Sequence, residues 1–310
     1  MPTYRSGRHE LGQNFLTDRK AVDTIVDLVS RTDGPIIEIG SGGGALTLPL
    51  QALRRPITAI EIDPRHVQKL QHRVDPSTTV VHGDFLRYRL PRTPHTIVGN
   101  LPFHHTTAML RRILHAEHWT ASVLLVQWEV ARRRAAVGGA TMMTAQWWPW
   151  YDFGLAGRVS ASAFTPRPGV DAGLMTIARR TVPLVDPALR PRYSTFVHTV
   201  FTSKGHGLHQ ILPRVAGDPE KAAVKKWLAG QRFRGTPLPR DLSPDNGPSS
   251  SRSSIDALRL PIGSGLSTAM TLPRPEHGAL GCVIAVLSPL PIGSRRASID
   301  DREELGPLSG

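Results

Sequence analysis

The feature that most narrows the fold is a steady alternation, over the first 180 residues, between short apolar runs and longer amphipathic segments. Val22, Ile25, Val26 and Val29 keep helical spacing, and Ile36-Ile37-Glu38-Ile39 reads as a buried strand that ends in glycines. The same pattern predicts a helix over 45–53, a strand over 57–61, a helix over 64–74 and strands over 79–82 and 96–99. A helix over 106–115 and strands over 121–127 and 172–177 complete it. Strands alternating with helices build βαβ units and a mostly parallel sheet, so residues 1–180 are expected to form a doubly wound, Rossmann-like α/β domain. Arg179-Arg180, with Pro183 and Pro187 close behind, marks its end. Helical patterns over 193–200, 208–215 and 219–228 predict a small all-α domain within 181–246. Residues 247–310 are rich in Ser, Pro and Gly and carry little period, a composition expected to be disordered.

In an open α/β sheet, ligands bind at the carboxyl ends of the strands. Four consecutive strand ends here carry polar chemistry. Glu38 to Gly44, E-I-G-S-G-G-G, follows a strand and opens a helix, and Gly40 and Gly42 let the backbone approach a ligand where a Cβ would clash. Taken alone, this loop with Glu61 about twenty residues on fits either a nicotinamide dinucleotide site or another nucleoside site. Glu61 ends the second strand, where a carboxylate can accept two ribose hydroxyls. Asp84 follows the third, where it can accept from an adenine amine beside Phe85. Asn100-Leu101-Pro102-Phe103 follows the fourth and joins an amide, a rigid turn and an aromatic ring.

Charge narrows the partner. The chain has 38 Lys+Arg against 25 Asp+Glu, a formal net charge of +13. The excess lies in residues 1–240, with 32 basic and 17 acidic residues, and 32 of all the basic residues are arginine. That balance favours a nucleic-acid partner, because arginine grips phosphate with two donors and stacks on bases. Arg111-Arg112 and Arg132-Arg133-Arg134 are the candidate phosphate contacts, although charge runs are often only solvated faces. The single cysteine, Cys282, excludes a disulfide framework and a cysteine zinc site within the chain, which removes the deaminase reading of His115-Ala116-Glu117. No apolar run reaches membrane-spanning length and no signal peptide is legible, so a cytoplasmic protein without membrane association is expected. Trp147, Trp148 and Trp150 read as core packing.

Together, G-Q-N-F-L near the N-terminus, E-I-G-S-G-G-G, E-I-D, G-D-F-L and N-L-P-F closely resemble the ribosomal RNA adenine N6-methyltransferases. From Gln127-Trp128-Glu129 onward, G-R-V-S-A-S-A-F-T-P-R-P-G-V-D-A-G and L-P-R-D-L-S-P are similar to the Erm macrolide-resistance branch. The resemblance spans roughly residues 8–246 and not the tail. It implies a class I methyltransferase sheet, S-adenosylmethionine as methyl donor and 23S ribosomal RNA as substrate. It also implies resistance to macrolides, lincosamides and streptogramin B. No obligate protein partner is legible in the sequence, and a monomer is expected. Donor contacts implied by it fall on Asn14, Leu16, Gly40, Glu61, Asp84 and Asn100. It offers Phe164, in S-A-F-T-P, as a second aromatic face for the target base beside Phe103.

The tetrad then has a chemical reading. Adenine N6 is a poor nucleophile because its lone pair is delocalised into the ring. The Asn100 side-chain oxygen and a backbone carbonyl, that of Leu101, can accept the two N6 hydrogens and favour a pyramidal amine. Pro102 fixes the turn, and Phe103 offers a flat face to a base swung out of its stack. Three other readings remain open: a small-subunit dimethyladenosine transferase, a nicotinamide oxidoreductase and a non-catalytic RNA-binding relative. The oxidoreductase has no use for Asn100–Phe103, and the non-catalytic relative predicts a damaged donor site.

Overall fold

In the computed structural model the described residues are 14–216, 218–230 and 236–241. Glycine 12 and glutamine 13 of the N-terminal motif, and the whole 247–310 tail, lie outside them. In chain order the elements are β1 (Phe15–Leu16), α1 (Arg19–Ser30), β2 (Ile36–Ile39), α2 (Thr47–Leu50), β3 (Ile57–Glu61), α3 (Pro64–Gln71) and β4 (Thr78–His82). Then come β5 (His95–Asn100), α4 (Thr106–His115), β6 (Trp119–Gln127), α5 (Trp128–Arg134), α6 (Met142–Trp147), β7 (Tyr151–Val159), β8 (Phe164–Thr165) and β9 (Ala172–Arg179). Helices α7 (Arg190–Thr202), α8 (Leu208–Ala216) and α9 (Asp218–Gly230) follow.

Seven strands form one sheet in the order β4-β3-β2-β5-β6-β9-β7. The first five are parallel, while β9 runs antiparallel to both β6 and β7. Helices cover both faces, which is why β2 is buried along its whole length and reads as a continuous apolar run. Alternate residues serve opposite layers, as the two-residue strand period requires. Ile37, Ile39, Ile97 and Leu124 join one apolar cluster with α4 and α7; Ile36, Val98, Val123 and Leu125 join another with α1.

Local chemistry sets where the helices begin. Asp18 accepts the Ala21 N–H at 2.7 Å at the start of α1, and Asp63 accepts the Arg65 N–H at 2.8 Å ahead of Pro64 in α3. These two caps place both helix starts at the carboxyl end of the sheet. Tyr193, Phe196 and Val200 of α7, Ile211 of α8 and Leu228 of α9 share an apolar cluster with Trp147 and Trp150. The described helices after residue 181 therefore pack onto the sheet domain through a common core.

Three of the strands have no counterpart in the sequence pattern. Strand β7 escapes it because Gly154 and Gly157 interrupt its apolar run and a β-bulge shifts its register between Leu155 and Gly157. The pair β1–β8 joins segments almost 150 residues apart, Leu16 opposite Phe164, and each strand is only two residues long.

Candidate functional site

The four strand ends picked from the sequence meet in one cleft, lined by Asn14, Phe15, Gly40, Gly42, Glu61, Asp84, Phe85, Asn100, Leu101, Pro102 and Phe103, among others. Neighbouring parallel strands hold Gly40, Glu61 and Asn100 at one level of the sheet. Gly40 and Gly42 adopt φ of +69° and +51°, a region that strongly favours glycine, and a Cβ on Gly42 would sit 3.0 Å from the Phe15 ring.

Glu61 ties the loop down. Its Oε2 accepts the Gly42 N–H at 2.7 Å and its Oε1 accepts the Asp63 N–H at 2.9 Å. Each carboxylate oxygen has two acceptor positions, so the side chain can hold the loop and still accept from a ligand hydroxyl. Asp84 accepts the Leu86 N–H through Oδ1 at 2.9 Å. Phe85, buried, adds an apolar wall to the cleft.

Beneath the glycine loop lies a group that the sequence pattern does not single out. Glu38 is 1% exposed, and the Thr47 hydroxyl donates to its Oε2 at 2.6 Å. Burial, helped by the nearby Glu61 charge and opposed by the Thr47 hydrogen bond, raises its pKa to about 7. In the sequence it is one polar residue inside a strand that reads as buried, with nothing to announce its raised pKa.

Asn100 is held by its nitrogen. Its Nδ2 donates to the Asn14 carbonyl at 2.7 Å, an assignment that follows from the partner being an obligate acceptor. The side-chain oxygen is thereby left as an acceptor at the cleft. The Leu101 N–H donates to the Leu125 carbonyl at 2.9 Å, while the Leu101 carbonyl accepts no hydrogen bond from the described residues. The Pro102 carbonyl accepts from the His105 N–H at 3.0 Å and the Thr106 hydroxyl at 3.2 Å, so the turn into α4 is fixed. His104 and His105 are exposed at the rim and also line the cleft; partial burial, then the His105 charge, lowers the His104 pKa.

Two residues suggested by family resemblance stand behind the cleft rather than in it. Leu16 and Phe164 are 4% and 3% exposed, face each other across β1 and β8, and belong to the cluster against which Phe103 packs. Phe15, which neither the pattern nor the resemblance picks out, lines the cleft instead. Successive strand residues point to opposite faces, so with Leu16 in the core its neighbour is turned outward.

The arginines divide in the same way. Arg112 Nη2 donates to the Tyr88 carbonyl at 2.7 Å, and Arg134 Nη1 donates to the Thr141 hydroxyl at 2.6 Å, with burial lowering the Arg134 pKa. Arg132 is engaged by Glu129 at 2.8 Å and by the Val137 carbonyl at 3.1 Å. Arg111 and Arg133 are exposed, Arg133 with a loose 3.7 Å approach to Glu129. Only these two of the five can leave their present surroundings at little cost. Trp147, Trp148 and Trp150 are buried, as expected of core packing. Among the described residues no helix is long and apolar enough to cross a membrane.

This geometry agrees with comparisons to known proteins. The family described as ribosomal RNA adenine dimethylase matches residues 4–230. A protein of Corynebacterium diphtheriae called rRNA adenine N-6-methyltransferase is 50% identical over 253 residues, covering 81% of this chain and 100% of its own length. The mycinamicin-resistance protein MyrB of Micromonospora griseorubida is 48% identical over 238 residues, covering 76% of this chain and 75% of that protein. Among solved structures, the 23S rRNA methyltransferase ErmE superposes with a TM-score of 0.68 at 32% identity, covering 73% of this chain and 93% of that one. A seven-stranded sheet with one reversed strand, a glycine loop and an Asn-Leu-Pro-Phe turn at one end thus has its place: the chain belongs to the ribosomal RNA adenine dimethylase family.

Proposed function

We propose that this chain transfers a methyl group from S-adenosylmethionine to the exocyclic N6 of an adenine in 23S ribosomal RNA, and that the modification confers resistance to macrolides, lincosamides and streptogramin B. The observation that carries the reading is the tethered Asn100 amide: its nitrogen is occupied by Asn14, which leaves its oxygen to accept, and Asn100 lines one cleft with Leu101, whose carbonyl is uncommitted among the described residues. Two acceptors fixed at one turn match the two hydrogens of a primary aromatic amine.

The residues present fit the donor. Gly40 leaves its backbone exposed at the cleft, and the Ser41 hydroxyl is buried without a hydrogen-bond partner among the described residues. Glu61 would take the ribose hydroxyls, Asp84 the adenine amine, and Phe85 one face of the adenine. Bound there, S-adenosylmethionine supplies a methyl group activated by a sulfonium.

The chain's own task is positioning. Asn100 and Leu101 draw electron density onto N6 by accepting its hydrogens, Pro102 holds both acceptors in one direction, and Phe103 supports the extruded base. Orienting two bound reactants is a large contribution to rate, and nothing covalent is required of the protein. Such a reaction belongs in the cytoplasm, and a single copy of the chain contains every residue it uses.

The test is expression in a macrolide-sensitive bacterium, followed by primer extension along 23S RNA. A reverse-transcriptase stop at one adenine together with resistance is expected. A sensitive host with unmodified 23S RNA, or a stop in small-subunit RNA instead, would refute the reading.

A further inference from the structure

We infer that a second cleft at the same end of the sheet stacks a nucleobase of the RNA strand beside the target adenine, on a platform made by Arg158, Trp128 and Asp171. The inference rests on the reaction proposed above and assigns residues which that reaction leaves unused.

Placement comes first. Asn100 ends β5, and the sheet continues from there through β6, β9 and β7. Strand β6 runs directly into Trp128, Asp171 immediately precedes β9, and Arg158 stands one residue before the end of β7. These three continue the row of strand ends past Asn100, away from the glycine loop. At about 4.8 Å per strand they lie one to three spacings beyond it, roughly 5–14 Å, a span that one or two nucleotides can bridge. They line a cavity of about 640 Å³. Small-molecule sites typically fall between roughly 300 and 1,000 Å³.

The geometry of Arg158 gives the cavity its chemistry. Its Nε and Nη2 each approach Asp171 Oδ2 at 2.8 Å. Asp171 cannot turn away, because its Oδ1 accepts the Ala161 N–H at 2.8 Å and its carbonyl accepts the Trp128 N–H at 2.9 Å. The guanidinium carbon lies 5.1 Å from the centre of the Trp128 ring, within cation–π range. The Arg158 side chain nevertheless remains 59% exposed. A planar cation held by a carboxylate beside an aromatic ring, with more than half of its surface still open, can serve as a stacking surface, and unpaired RNA bases are held on arginine planes as they are on aromatic rings. Arg167, exposed on the same rim, adds a cation for the adjoining phosphate. An adenine swung out for methylation leaves its neighbours unstacked, which is the state such a platform captures.

The experiment uses the full chain and a 23S-derived RNA hairpin containing the target adenine. 2-Aminopurine is placed at each of the three nucleotides on either side in turn, and an abasic residue is placed at the same positions. At one position the fluorescence should be quenched on binding. Arg158→Lys, which keeps the charge and loses the plane, should abolish that quenching, whereas Arg158→Gln, neutral and planar, should retain part of it. The abasic RNA should raise KM about tenfold for the unsubstituted chain and less than twofold for Arg158→Lys, with kcat unchanged in both. Binding of S-adenosylhomocysteine reports that each variant is folded. If Lys preserves the quenching and Gln destroys it, or if the abasic and Arg158→Lys effects simply multiply, the platform is refuted while normal methylation of the hairpin leaves the reaction standing. A hairpin that the unsubstituted chain does not methylate would remove the reaction and the platform together.

Discussion

The two halves of the sheet's carboxyl edge are built differently. On the β2–β3–β4 side the polar groups already hold one another: Glu61 grips the glycine loop, Glu38 is sealed beneath it with Thr47, and Asp84 caps its own turn. On the β6–β9–β7 side charges are at the surface, with Arg133 and Arg167 reaching into solvent. The first arrangement suits a small ligand of fixed shape, since a preorganised site spends little on ordering itself. The second suits a flexible polyanion, whose phosphates are gripped by long side chains that can move. Asn100 stands between them, anchored by Asn14, with its acceptor where the two ligands would meet.

The sharpest way to break this division is at its centre. Asn100→Ala should lower the rate of methyl transfer by 10²–10³, about 2.7–4 kcal/mol, the usual cost of removing one hydrogen bond to developing charge. Donor binding should weaken but remain measurable. Turnover near that of the unsubstituted chain in a labelled-methyl assay would take Asn100 out of the chemistry.

The donor half predicts a pH signature of its own. Folded Glu38 keeps its proton up to about pH 7, while in the unfolded chain it ionises near 4.5. Between those values the folded state binds more protons, so this group's contribution to stability is full below pH 4.5 and is lost as pH rises through about 7. Relative to Glu38→Gln, the unsubstituted chain should lose roughly 3 kcal/mol of stability across that window. Denaturant melts of the two proteins at several pH values measure the difference. Parallel curves would mean that Glu38 is ionised in the folded chain.

Asp84→Ala tests the donor half through its ligand. Affinity for S-adenosylhomocysteine should fall about 10- to 100-fold by titration calorimetry, the loss expected for hydrogen bonds to a charged acceptor. RNA affinity should not change. NADH should give no heat with either protein, and tight NADH binding would replace the methyl-donor assignment with a nicotinamide one.

Much of this was legible in the sequence, for a local reason. Strands β2, β3 and β5 are short apolar runs closed by glycine or by a polar residue, and a strand end is a fixed place in a parallel sheet. Reading those runs therefore located Gly40, Glu61, Asp84 and Asn100 at one edge. What escaped depends on distant partners. The Asn14–Asn100 bond and the β1–β8 pair join segments far apart in the chain, and neither leaves a periodic trace. The arginine runs display charge but not what holds it, so Arg112 and Arg134, engaged by Tyr88 and Thr141, looked the same as Arg111 and Arg133. Phe164 fits its place in the resemblance, yet its strand turns the ring into the core.

That difference among arginines gives the smallest effect. Replacing Arg111 and Arg133 with alanine should weaken RNA binding and flatten the slope of log affinity against log salt by about one for each phosphate no longer neutralised. Arg134→Ala should lower thermal stability and leave that slope alone. A salt slope that follows Arg134, or ignores Arg111 and Arg133, would return the exposed pair to ordinary solvated charge.

The central claim is that the two halves meet at one adenine amine. Incubating the purified chain with 23S ribosomal RNA and methyl-labelled S-adenosylmethionine, then digesting the RNA to nucleosides, tests it most directly. The account predicts label in N6-methylated adenosine from a single position, and its loss in Asn100→Ala. Label on another base or another adenine atom, or equal labelling by the Asn100→Ala protein, would contradict it.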